Sequence, residues 1–141
     1  MDDKKRFKLG MTVRREVLGD AWVDRAQAKR NSFTADFQDF ITRYAWGEVW
    51  SRPGLDRRSR SLMTLAMMIA LGRWDEFRLH VRAALNNGVN ADEIKEVIMH
   101  SAVYAGLPAA NSAFAEAVEV LKACGVDLDA NDSAGAPATT R

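Results

Sequence analysis

Strand signals are almost missing from this chain, and that limits its folding options more than any other feature. Val and Ile are sparse and scattered, while Ala, Leu, Met, Glu and Arg, the strong helix formers, dominate. Apolar residues recur at three- and four-residue intervals, so the chain is expected to be all-α, with six or seven helices. Its 141 residues suit one domain with one sizeable core. We assign that domain to residues 1–125. Residues 126–141, mostly Ala, Asp, Ser, Gly, Pro and Thr without apolar periodicity, are expected to form a disordered tail.

Punctuation residues divide the chain further. Helices are expected over Gly10–Leu18, Ala21–Lys29 and Asn31–Tyr44, the last with Phe33, Phe37, Phe40, Ile41 and Tyr44 in one apolar stripe. After the Arg52-Pro53-Gly54-Leu55 turn, Asp56 is placed to cap a helix over Arg57–Leu71. Gly72 interrupts it, Trp74–Asn86 continues, and Gly88 stops the chain of turns. Asn90 and Glu93 have capping-box spacing and begin a helix with Ile94, Val97, Ile98, Ser101 and Ala105 on one face. Gly106-Leu107-Pro108 ends that helix and starts the last, which runs to Lys122.

Several function classes are disfavoured at once. With 20 Lys+Arg against 19 Asp+Glu the net charge is +1, and a nucleic-acid partner calls for a strongly basic domain. The longest apolar run, Leu62 to Leu71, is about half a bilayer span, so no membrane partner is expected. Cys124 is the sole cysteine, which rules out an internal disulfide, a CxxC pair and a cysteine-rich zinc site, and favours the cytoplasm. The opening Met1-Asp-Asp-Lys-Lys-Arg leads into no apolar h-region, so no signal peptide is expected. His80 and His100 show no HxxxH or HxH spacing, so no metal site is expected.

Three constellations carry possible chemistry. Arg52, Arg57, Arg58 and Arg60 crowd the start of the central helix, where the helix dipole disfavours cations. They form either a solvated face or a receptor for a carboxylate or phosphate. Arg73, Glu76 and His80 share one edge of the next helix, beside its apolar stripe of Trp74, Phe77, Val81, Ala84 and Leu85. Histidine there is either an incidental boundary residue or an acid tuned by Glu76. His100, without an acid-base partner nearby in sequence, reads as structural. Tyr44-Ala-Trp46-Gly47-Glu48-Val49-Trp50 is either core or a pocket wall that holds Glu48 in an apolar setting and so raises its pKa.

Taken together these segments resemble the γ-carboxymuconolactone decarboxylase family. The resemblance lies in Trp46-Gly-Glu-Val-Trp50-Ser-Arg-Pro-Gly-Leu-Asp-Arg-Arg-Ser-Arg60-Ser-Leu, in His80 with Ala84-Leu85 and Asn87-Gly88, in Glu93-Ile-Lys-Glu-Val-Ile98, and in Tyr104-Ala-Gly-Leu-Pro108. It covers nearly everything up to about Gly125. It implies the alkylhydroperoxidase-like helical fold, a homo-oligomer, typically a hexamer, and decarboxylation of a small dianionic lactone without cofactor or metal. The reaction implied is 4-carboxymuconolactone to β-ketoadipate enol-lactone and CO2, in the β-ketoadipate route of protocatechuate breakdown. Redox relatives in the superfamily carry CxxC with a histidine four residues later. Here Arg73 and Glu76 stand at those cysteine positions if His80 is that histidine, so thiol chemistry is not expected.

Under this resemblance the catalytic set is His80, Glu48 and Arg58, with His80 donating the proton and either Glu48 or Glu76 tuning it. Arg57, Arg58 and Arg73 would hold the carboxylates or the oxyanion, and Glu76, Trp46, Trp50 and Tyr104 complete the substrate site. Some superfamily members act as helical oligomers without turnover, and in that reading the same arginines and aromatics would form subunit contacts.

Overall fold

The computed structural model describes residues 1–129; the remainder of the expected tail, 130–141, lies outside the described residues. Helices α1 (Asp3–Leu18), α2 (Asp20–Ala28) and α3 (Ala35–Phe40) lead into a π-helix (Ile41–Val49). Helices α4 (Arg57–Leu71), α5 (Trp74–Asn86), α6 (Ala91–Ala105) and α7 (Leu107–Ala123) follow. No strand occurs among the described residues, as the helix-forming composition requires. None of these helices is long and apolar enough to cross a membrane.

The local signals from Asp56 onward act as their chemistry dictates. The Asp56 carboxylate accepts from the Ser59 N–H and starts α4. Gly72, with φ +68°, ends α4 in the left-handed conformation that glycine tolerates best. Asn90 and Glu93 form a complete capping box at α6. Val126 and Leu128 then fold back against the core, so packing continues past Gly125.

The segment before Asp56 departs from expectation. A continuous helix over 31–44 does not form, because the Asn31 side chain accepts from the Phe33 and Thr34 N–H groups in a local turn that delays the helix to Ala35. The backbone then widens into the π-helix, which breaks the 3.6-residue period on which a single stripe depends. Phe33, Phe37 and Phe40 consequently face solvent at 94%, 62% and 53% exposure, while Ile41 turns inward. The first helix also begins earlier than expected, at Asp3, where Asp2 caps it through the Lys5 N–H.

Two apolar clusters meet on α5. Phe77, Val81 and Ala84 join Leu65, Ile69, Ile94, Ile98 and residues of α7 in the larger core. Ala83 and Leu79 face a smaller one with Val13, Val17, Val23 and Trp46. At about 100° per residue, His80 falls between these two faces. Helix α1 crosses the π-helix closely: a Cβ added at Gly10 would lie 1.9 Å from the Thr42 carbonyl oxygen, and one at Gly47 2.3 Å from that of Arg6.

Removing the α6 cap with Asn90→Ala is expected to cost about 1 kcal/mol. Urea unfolding should show a lower midpoint at unchanged slope; an unaltered midpoint would mean that the cap contributes nothing to stability.

Candidate functional site

The site forms where the C-terminal end of the π-helix meets the exposed edge of α5. Trp46 is buried in the smaller core, and its ring lies 5.2 Å from that of Trp50. Trp50 is half-buried and stacks on His80, with ring centroids 6.1 Å apart and planes inclined by 19°. His80 is itself half-buried, and its Nδ1 is enclosed without a hydrogen-bond partner. Burial pushes His80 down to about 4, so the imidazole is neutral near pH 7. The structure thus brings together His80, Trp50 and, behind them, Trp46.

The carboxylates expected beside His80 are turned elsewhere. Glu48 is exposed and ion-paired, 3.4 Å from Arg6 and 4.0 Å from Arg52, so the apolar setting expected for it is not present. Glu76 is exposed on the outer edge of α5. Burial alone accounts for the low proton affinity of His80, and neither glutamate supports its charged form. The edge shared by Arg73, Glu76 and His80 does exist, but only its last member turns inward, because Arg73 sits at the helix N-cap before the apolar stripe begins.

The arginines at the start of α4 are divided between two neighbours. Arg57 pairs with Glu16 of α1 at 2.9 Å, and Arg58 pairs with Glu93 of α6. Successive helical residues point about 100° apart, which sends the two guanidinium groups to different faces. The cations that the dipole disfavours are thus offset by carboxylates from α1 and α6 and by the Asp56 cap. Arg60 reaches back to the Arg52 carbonyl oxygen at 3.4 Å.

Tyr104 lies apart from this group. It is 80% exposed on α6, with its ring 5.2 Å from that of His100, beside a shallow groove shared with Met67, Ala70 and Ser101. An adjoining groove of about 710 Å³ runs between α4 and α6 past Met63, Glu93, Val97 and Met99. Among the described residues, no three of His, Cys, Asp and Glu gather as a metal would require. Cys124 is exposed at the end of α7.

Sequence reasoning missed the part that α1 plays. Glu16 and Arg6 engage Arg57 and Glu48 across the fold, and Arg14 is 3% exposed beneath the π-helix. The available signal was the four-residue spacing of Arg6, Gly10 and Arg14, which places them on one helical face.

Comparison with known proteins places this geometry in a class. Residues 35–119 match the carboxymuconolactone decarboxylase family, and the chain belongs to that family. It is 56% identical over 126 residues to 4-carboxymuconolactone decarboxylase of Acinetobacter baylyi, covering 89% of this chain and 94% of the relative. It is 48% identical over 105 residues to a nitrosuccinic acid decarboxylase of Metarhizium robertsii, covering 74% of this chain and 73% of the relative. A 48-residue 4-carboxymuconolactone decarboxylase sequence from Pseudomonas putida is matched over its full length at 56% identity, across 34% of this chain.

The burial of His80 gives stability a pH dependence of definite sign. An unfolded chain binds the proton near pH 6.5, whereas the folded chain resists it down to about 4. The unfolded state holds more protons between these values, so stability falls as the pH is lowered from 6.5 towards 4. This one group accounts for roughly 3 kcal/mol across the window. His80→Gln should therefore flatten the acid side of the Tm–pH curve relative to wild type. Parallel curves for the two proteins would show that His80 is not desolvated in solution.

Proposed function

We infer that this chain is a carboxy-lyase that converts 4-carboxymuconolactone to β-ketoadipate enol-lactone and CO2. The observation that carries the reading is the 56% identity to the Acinetobacter baylyi enzyme over 89% of the chain. Its place is the β-ketoadipate route of protocatechuate breakdown, in the cytoplasm.

The chemistry sets three demands. The bond to the departing carboxylate breaks, and its electron pair passes through the ring double bond to the lactone carbonyl oxygen. The resulting dienolate needs positive charge or hydrogen-bond donors at that oxygen, commonly the largest catalytic contribution. It then takes a proton on the carbon next to the carbonyl, from a positioned acid.

His80 is proposed as that acid. It rests neutral against Trp50, and a substrate carboxylate brought beside it raises its proton affinity. The proton would then arrive together with the substrate and be delivered to the dienolate carbon. Trp46 and Trp50 supply the low-polarity wall against which a carboxylate gains by losing its charge. Arg57 is proposed to hold a substrate carboxylate, exchanging Glu16 for the dianion, whereas Arg58 points to the α6 face and is not assigned to this pocket. Arg73 and Glu76 would serve at the rim and Glu48 acts through the cations it holds, Arg6 and Arg52, while Tyr104, apart on α6, is not assigned to this pocket. Nitrosuccinic acid, named for the Metarhizium robertsii relative, is also a dicarboxylic acid, so recognition of an anion beside the scissile carboxylate suits both reactions.

The working form is proposed to be a homo-oligomer, with a hexamer as the expected assembly. One protomer leaves Phe33, Met67, Val103, Tyr104 and Leu107 at 94%, 57%, 76%, 80% and 75% exposure. Apolar surface on that scale is buried against other copies in assembled proteins.

Turnover of 4-carboxymuconolactone tests the assignment. His80→Ala should lower kcat by at least about 10²-fold, and Arg57→Ala should act mainly by raising KM. Wild-type turnover in the His80→Ala protein would remove His80 from the chemistry.

A further inference from the structure

Helix α1 meets the π-helix along one face, at Arg6, Gly10 and Arg14. The missing side chains of Gly10 and Gly47 let the two backbones approach to a distance that no Cβ would survive. Arg14 donates from Nη1 to Thr42 Oγ1 at 3.3 Å and from Nη2 to Gln38 Oε1 at 3.0 Å, bracing the beginning of the wide turns. Its guanidinium lies 5.7 Å from the Trp22 ring. These neutral partners leave the charge of a 3%-exposed arginine poorly compensated, which lowers its proton affinity and costs stability. Arg6 braces the other end, over the Tyr44 ring at 5.2 Å and against Glu48 at 3.4 Å.

Such an arrangement needs a reason, because π-helices are rare and occur mostly at functional sites. Here the wide turns end at Trp50, whose N–H bonds the Ala45 carbonyl oxygen five residues back, at 2.9 Å. An α-helical path would use one residue fewer and swing the following side chains by roughly 100°. Trp50 would then leave the ring of His80.

We propose that Arg6, Gly10 and Arg14 clamp the π-helix in its wide-turn register, and that Gly10 and Gly47 are positioning residues that set Trp50 over His80. The proposal rests on the reading of His80 as proton donor. Of the charged groups on the elements packed near α5 and on α5 itself, Glu48 is held by Arg6 and Arg52, Glu16 is held by Arg57, Glu76 is exposed, and Arg14 is turned to Gln38 and Thr42. None of these charges contributes to its titration, so that titration reports on its cover alone.

Two variants test the clamp in the full-length protein. Gly10→Ala forces α1 off the π-helix. Arg14→Met removes the guanidinium that braces Gln38 and Thr42 and leaves the glycine contact intact. The chain has two histidines, so His80 can be titrated by NMR, with His100→Gln used for assignment. The expected result for either variant is a His80 midpoint moved up from about 4 towards 6.5. Turnover should fall about tenfold or more with KM changed far less, as misplacement of a reacting group requires. A variant that melts cooperatively and keeps the wild-type His80 midpoint overturns the clamp. If Gly10→Ala does not fold, Arg14→Met decides, and a wild-type His80 midpoint in that protein rejects the clamp. A shifted midpoint combined with full activity in His80→Ala would leave the clamp standing and defeat the proton-donor reading instead.

Discussion

Burial of α5 on two sides is the constraint from which the remaining arrangement follows. A helix caught between two apolar clusters has little freedom to rotate, since turning it would expose Phe77 and Val81 on one side or Ala83 on the other. Burying each large apolar side chain contributes about 2 kcal/mol, so the orientation is strongly fixed. The edge between the two faces is fixed along with it. His80 occupies that edge, where contact with solvent and with the core are both partial. A residue there can be made neutral or charged by whatever arrives beside it, which suits proton transfer.

The electrostatics of the site are arranged by distant parts of the chain. Arginines at the start of α4 are paired within the chain, because α1 and α6 each lend one of them a glutamate. Exposed pairs of this type are weak, contributing about 1 kcal/mol or less. Their weakness suits a binding site: a dianion can displace such a partner at small cost. Stronger, buried pairs would hold the protein's own shape and resist the substrate. His80 is treated in the opposite way, with its charge suppressed by burial alone.

How far the sequence foretold the structure differs along the chain. From Asp56 onward it foretold nearly everything, because caps, glycine stops and apolar periods are local and agree with one another. Before Asp56 the local signals conflict. The stripe from Phe33 to Tyr44 has helical spacing, yet the Asn31 turn and the π-helix divert it outward, and periodicity carries no mark of a wider turn. His80 and Trp50 were singled out from their type and spacing, and the structure stacks their rings. The partners of Glu48, Arg57 and Arg58 were not, since ion pairs spanning some forty residues leave no trace in spacing. Family resemblance supplied the reaction, which no residue pattern in the chain encodes by itself.

Glu93 carries two obligations at once. One carboxylate oxygen accepts from the Asn90 N–H at the start of α6, and the other pairs with Arg58 in the first turn of α4. Helix ends ordinarily fray one at a time, each at its own small cost. Here the two N-termini share one side chain, so whatever draws Arg58 away from Glu93 also touches the cap of α6, at one end of the groove between these helices.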